Sequence, residues 1–240
     1  DLILDSLTGI ENKWLFSATM PHGIRQIVNQ HMSANAYRII VSGSNVVNTN
    51  IDHKFVLCDD PEKFNILLQF LCSVQGKRGI IFCRTKLETQ RLAVKLMSKN
   101  INADAIHGDL LQKERDKVMR AFKNKNLSVI VATDIAARGI DVADLTYVVH
   151  YQLPDKEEYY THRSGRTARA GRKGTSLVLA NSYEIRKVRS YEKNLRISFS
   201  KINNFKYKRV TDSYDYKFRA NQVNVTNAVS KDGTTLRVQL

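Results

Sequence analysis

Four arginines recur at every third position between His162 and Arg172: Arg163, Arg166, Arg169 and Arg172, in the string HRSGRTARAGR. Guanidinium groups crowded this closely repel one another, and such density persists most easily where it faces a polyanion. A guanidinium also binds two phosphate oxygens at once, so the chemistry indicated is phosphate recognition. The spacing crowds the four onto one side of a helical turn. A basic helix face turned to water is the alternative on spacing alone.

Three shorter polar clusters each follow an apolar run. Arg84-Thr85 follows residues 79–83, His107-Gly108-Asp109 follows 103–106, and Thr133-Asp134 follows 128–132. Runs that are apolar throughout suit strands buried on both faces. Further runs lie at 147–150 and 176–179. Between them Phe64, Leu67, Leu68 and Leu71 fall at helical spacing, as do Thr89, Leu92, Ala93 and Leu96, and then Leu111, Val118 and Phe122. Strands alternating with helices specify an α/β fold built on a parallel sheet. In such a sheet the carboxyl ends of the strands share one edge, and helix N-termini there offer N–H groups to phosphate. Polar loops follow most strands, so each cluster is weak by itself. Three of them on one rim of a basic domain favour a phosphate-bearing ligand.

The 240 residues hold 38 Lys and Arg against 23 Asp and Glu, a formal charge of +15. Residues 1–42 balance at zero, 201–240 carry +5, and the middle carries the remaining +10. A surplus on the folded middle points to a polyanionic partner, nucleic acid first. A solvated basic surface accounts for the charge equally well. Three cysteines with no CxxC pair argue against a disulfide scaffold and a zinc ribbon, and lead to the expectation of a reducing, cytoplasmic setting. His22, His31, His53 and His150 show no metal-ligand spacing, so no metal site is expected. No apolar run approaches the ~20 residues a bilayer requires. The chain opens on Asp1, and the expectation is a segment of a longer protein.

Five stretches in order carry a family resemblance. They are Ser17-Ala18-Thr19 within WLFSATMP, IIFCRTK from Ile80, His107-Gly108-Asp109 followed by Gln112 and Arg115, ATDIAARGIDV from Ala132, and the arginine string. Together they resemble the C-terminal half of a DEAD-box ATP-dependent RNA helicase, over roughly residues 12–195. The last motif departs from the family's usual HRIGRTGRAG at Ser164, for Ile, and Ala168, for Gly.

The resemblance implies a RecA-like parallel sheet with helices on both faces, and a cleft shared with another RecA-like domain. It implies that Arg166 and Arg169 are arginine fingers for the γ-phosphate of ATP, and that Asp141, beside Gly139, accepts from the ribose hydroxyls. A turn cap is the other reading of Asp141. Thr133, Gly108, Thr85 and Arg84 fall where the family contacts RNA, though Thr133 also suits a helix N-cap. Ser17, Thr19, His162 and Arg163 fall where the family couples its two domains; ordinary caps for the hydroxyls and a core role for His162 stay open. No GxxxxGK phosphate loop and no Asp-Glu-Ala-Asp string occur in the chain. The groups that cradle the phosphates and hold Mg²⁺ are therefore expected on the first RecA-like domain, and this chain alone is expected to be inactive. The alternatives are an RNA-binding module without turnover, or a DNA-directed helicase of the same superfamily.

The expected organisation is residues 1–42 as the end of the first domain, 43–200 as the second, and 201–240 as a basic, aromatic tail. The first segment predicts a strand through Phe16, a helix over about 22–33 and a strand at 37–41. The tail alternates at Tyr214, Tyr216 and Phe218 and again at Val223 and Val225, which predicts strands more than an RNA-binding arm.

Overall fold

Among the described residues all strand pairings are parallel, and seven strands align in the order β3 (Ala103–Ile106), β4 (Val129–Ala132), β2 (Arg78–Phe82), β5 (Leu145–His150), β6 (Gly174–Ala180), β1 (Ile51–Leu57) and β7 (Ser200–Lys201). The computed structural model describes residues 12–17, 20, 22–39, 47–137, 140 and 145–203. Two compact units divide the chain, residues 1–44 and 45–240.

The first unit contributes one described helix, α1 (His22–His31), with no buried residue. The strands expected through Phe16 and at 37–41 are not formed over 12–17 or 36–39; 40 and 41 lie outside the described residues. A strand exists only through its neighbours, and none pairs with these segments among the described residues. Trp14 and Phe16 stand 76% and 89% exposed, their rings stacked on each other at 6.5 Å.

The second unit holds β1 (Ile51–Leu57), α2 (Lys63–Ser73), β2 (Arg78–Phe82), α3 (Lys86–Met97), β3 (Ala103–Ile106), α4 (Gln112–Lys123) and β4 (Val129–Ala132). It continues with β5 (Leu145–His150), α5 (Glu157–Ser164), β6 (Gly174–Ala180), α6 (Ile185–Leu195) and β7 (Ser200–Lys201). The central strands are apolar on both faces because both faces are covered. Phe64, Leu67 and Leu71 of α2 and Leu92, Ala93 and Leu96 of α3 pack against Ile81, Val131, Val149 and Leu177. On the opposite face Val118 and Phe122 of α4 cover Ile80, Ile130 and Val148. Tyr160 of α5 and Val188 and Tyr191 of α6 cover Phe55, Val178 and Ala180. The RecA-like expectation of helices on both faces of a parallel sheet is met.

Helix starts follow local chemistry. The Thr85 side chain accepts from the Glu88 N–H at 3.2 Å and caps α3. Asn181 Oδ1 accepts from the N–H groups of Tyr183 and Glu184 ahead of α6. The predicted strand runs match β2 to β6 within two residues at either end. Helix α6 and strand β7 have no counterpart in the spacing read above. The tail strands expected beyond residue 210 lie outside the described residues.

The arginine string departs from its expected geometry. Helix α5 stops at Ser164, and only Arg163 of the four arginines is helical. Arg166, Arg169 and Arg172 sit in the turns that follow, where Ala168, Ala170 and Gly171 take positive φ values of 56°, 52° and 74°. Backbone reversal therefore relieves the crowding that one helix face would impose.

Gly79 on β2 has a packing reason. A Cβ there would lie 2.1 Å from the Tyr147 ring, which is held edge-on by Phe70 at 5.2 Å between centroids. Gly79→Ala is expected to cost about 1–3 kcal/mol by overpacking, read from urea unfolding of this chain. An unchanged midpoint would show that the ring moves freely.

Candidate functional site at the strand ends

Because the strands are parallel, the residues after β2, β3, β4 and β5 lie along one edge. Hydrogen bonds stitch the loops there together. The Arg84 N–H donates to Gln152 Oε1 at 2.9 Å, joining the loops after β2 and β5. Lys86 Nζ pairs with Asp109, joining the start of α3 to the loop after β3. The Thr133 N–H donates to the Ile106 carbonyl at 3.3 Å, joining the loops after β4 and β3. The three polar clusters thus form one rim.

Arg163 lies under that rim. It is 1% exposed, and its Nε and Nη2 donate to the two carboxylate oxygens of Asp134 at 2.5 and 2.7 Å. Its Nη1 donates to the Gln152 carbonyl at 2.8 Å, and its guanidinium lies over the Phe82 ring at 5.0 Å. The expectation that Arg163 reaches toward another domain meets a guanidinium already committed within this one. Sequence spacing singled out neither Asp134 as its partner nor Gln152 as a double link. Gln152 follows the end of β5 only after the buried Tyr151, so the rule that found the other loops, a polar residue directly after a strand, passes it by.

Arg166 is half-buried in the turn after α5. Its Nη1 donates to the carbonyl of Ile140, the residue between Gly139 and Asp141 in sequence, at 3.3 Å. Those two residues, and Thr19, lie outside the described residues. A small open pocket is lined by Arg166 together with Phe82, Asp134, Ala137, Tyr159, His162 and Arg163. Arg169 is half-buried and donates from Nε to the Gly165 carbonyl at 3.1 Å. The turn is anchored at its far side: Thr167 Oγ1 donates to the Leu145 carbonyl at 2.6 Å, and Asn48 Nδ2 to the Ala168 carbonyl at 2.6 Å. Gly174 permits this approach, since a Cβ there would meet Thr167 Oγ1 at 2.2 Å and the Ala168 nitrogen at 2.8 Å.

Along the rim, Arg84 and Thr85 are exposed, and Arg84 pairs with the exposed Asp155 at 3.2 Å. Such a pair is weak in water and yields easily to another anion. Thr133 is buried at the foot of its loop. Gly108 is exposed and has no positive φ; a Cβ there would meet only the end of Lys86, nearest at 3.5 Å. Neither backbone strain nor packing therefore requires glycine at 108. Ser17 belongs to the first unit and is exposed.

Beneath α5 the floor is polar. His150, Ser164, Ser176 and Tyr160 are fully buried, with His53 nearly so. Burial lowers the His53 pKa to about 4, and burial together with the Arg163 charge and His53 holds His150 well below the usual histidine range. Nearby Asp52 partly offsets the shift at His53.

Two outcomes follow. Asp134→Ala leaves the Arg163 charge buried without its carboxylate, and is expected to destabilise this chain by about 3–5 kcal/mol in urea unfolding. Both histidines are neutral when folded, while unfolded ones gain protons below about pH 6.5, so stability falls as pH drops. His53 alone is expected to remove on the order of 3 kcal/mol between pH 7 and pH 4. His53→Gln should flatten that slope; an unchanged slope would exclude His53 as a cause.

Residues 62–171 match the family of the helicase conserved C-terminal domain. The chain is 36% identical over 193 residues to the DEAD-box ATP-dependent RNA helicase RhpA of Helicobacter pylori, covering 80% of this chain and 39% of that protein. It is 31% identical to the Escherichia coli DEAD-box protein SrmB, solved bound to regulator of ribonuclease activity A. That match covers 62% of this chain and 89% of the solved one, with a TM-score of 0.57. Dbp5 of Saccharomyces cerevisiae, solved bound to RNA and ADP BeF3, is 29% identical with a TM-score of 0.69, over 78% of this chain and 50% of that one. The chain thus spans about two fifths of the length of the curated relatives it matches. With the arginine turn and the stitched rim on one parallel sheet, the chain belongs to the DEAD-box RNA helicase family and carries its C-terminal helicase domain.

Proposed function

We propose that this chain is the half of an ATP-dependent RNA helicase that completes the nucleotide site and forms one side of the RNA track. The position of Arg166 carries the reading: it lines the open pocket beside His162 and bonds the carbonyl of Ile140, the sequence neighbour of Gly139 and Asp141. Phosphoryl transfer spreads negative charge over the γ-oxygens, and a guanidinium brought up on domain closure stabilises it. Arg166 and Arg169 act as these fingers. Asp141 accepts from the ribose hydroxyls of ATP, with Gly139 beside it. Mg²⁺ would be held by carboxylates of the first RecA-like domain, to which Ser17, Thr19 and His162 couple this one. Arg163 contributes from inside, by fixing the Asp134 loop against α5.

RNA lies along the rim. Arg84 and Thr85 offer exposed donors, and Thr133 sets the loop whose N–H groups face phosphate. Gly108 keeps space that no protein atom needs, which suits close approach of a nucleic-acid backbone. Contacts of this kind read phosphate and 2′-OH, so base sequence matters little. Local duplex unwinding or displacement of bound protein is the expected output. The solved state of the relative Dbp5, with RNA and ADP BeF3, supports both ligands.

Turnover in a protein carrying both domains tests the reading. Arg166→Ala and Arg169→Ala are each expected to lower kcat by ~10³-fold while nucleotide binding is largely kept. A variant with near wild-type kcat excludes the finger role for that residue. The 240-residue chain alone should show no RNA-stimulated turnover; turnover by it would overturn the half-enzyme reading. Equal unwinding of DNA and RNA duplexes would favour the DNA-directed alternative.

A further inference from the structure

The buried polar floor under α5 is a continuous hydrogen-bonded chain. His150 Nε2 lies 3.3 Å from Ser164 Oγ and 3.1 Å from Ser176 Oγ. The two hydroxyls are 2.9 Å apart. Ser176 Oγ is 3.3 Å from the Tyr160 hydroxyl, which is 2.5 Å from His53 Nδ1. Each hydroxyl has one proton, so two arrangements run the full length of the chain, one toward His150 and one toward His53. The far end decides between them. His150 Nδ1 is buried with no partner among the described residues. If the protons pointed toward His150, its Nε2 would accept, and Nδ1 would carry an orphaned buried N–H. In the other direction His150 Nε2–H donates, and Nδ1 is left with only an unmatched lone pair. Orphaned buried N–H groups are rarer than under-used acceptors, so the second direction stands. His150 Nε2–H donates to Ser164, Ser164 to Ser176, Ser176 to Tyr160, and Tyr160 to His53 Nδ1.

This relay has mechanical consequences. Tyr160 and Ser164 lie four residues apart on one face of α5. Their partners stand on β5, β6 and β1, so the last turn of the helix is tied to three strands at once. The Ser164 carbonyl accepts from the Thr167 N–H at 3.2 Å, and the Arg163 carbonyl from the Arg166 N–H at 3.0 Å. The turn that carries Arg166 thus hangs from the residue that the relay pins. We propose that Ser164 is a positioning residue for Arg166, holding the arginine turn at a fixed roll through a one-way relay from His150 to His53. The proposal deepens the finger role argued above and rests on it.

Two measurements test it. In this chain, ¹⁵N imidazole shifts should report the Nε2–H tautomer at both His53 and His150; a protonated Nδ1 at either one overturns the relay. In the protein carrying both domains, Ser164→Ala removes the helix link while leaving His150 Nε2–H its bond to Ser176, so the fold survives. Its kcat is expected to fall about tenfold with KM for ATP unchanged, inside the ~10²-fold that a 1 Å misplacement costs. Ser176→Ala cuts the same relay, so the double variant should lose no more than the worse single one. Additive losses, or a lowered melting temperature with unchanged kcat, would make Ser164 merely structural. Arg166→Ala in parallel separates the failures. If it leaves kcat intact the finger reading falls, whereas a collapsed kcat beside an unaffected Ser164→Ala overturns the positioning role alone.

Discussion

A guanidinium cannot remain inside a protein without a carboxylate to meet it, and the site is organised around that requirement at Arg163. The bidentate bond to Asp134 fixes the loop after β4. The bond to the Gln152 carbonyl fixes the loop after β5. Gln152 in turn accepts from the Arg84 N–H and holds the loop after β2. One buried charge therefore sets three loops in register with the helix that bears it. The arginines of the turn beyond inherit their placement from this internal one.

The division between buried and half-buried arginines also resolves the repulsion inherent in four guanidinium groups at every third position. Arg163 is neutralised within the fold. The three that follow leave the helix and are spread by turns in left-handed conformations at Ala168 and Ala170. An L-residue there is held against its steric preference, of order 1–2 kcal/mol, so the surrounding contacts must define the turn. The bonds from Thr167 to Leu145 and from Asn48 to Ala168, and the bare Cα of Gly174, do so.

The alternation of apolar runs with helical spacing made β2 to β6 and the first three helices of the second unit legible, because strands covered on both faces leave no polar interruption. The rim was legible by the same logic: parallel strands force their carboxyl ends together. Less could be read where chemistry depends on distant partners. Nothing local in Arg163 distinguishes it from Arg166, since its burial is decided by Asp134 and Gln152. Ser164 reads as a small change within a motif, yet its hydroxyl meets His150 and Ser176 from two separate strands. Helix α6 escaped notice because only Val188, Tyr191 and Leu195 of it are buried, a narrow stripe among charges. The first unit shows the converse. Its apolar spacing reads as strands, but spacing alone supplies no neighbour to pair with.

The edges of the sheet bear on how such a domain stays apart from its copies. Among the described residues the outermost strands are β3, with four residues, and β7, with two. The seven-residue β1 would otherwise present a long, largely apolar border of unpaired amides. Instead β7 lies beside it, with Ser200 opposite Lys54 and Lys201 opposite Phe55, and the Ile202 N–H donates to the Phe55 carbonyl at 2.8 Å. A two-residue strand ending in lysine is a poor template for further strand addition. Among the described residues, Ser200 to Ile202 thus serve as a selvedge, bordering β1 with a short, lysine-bearing edge.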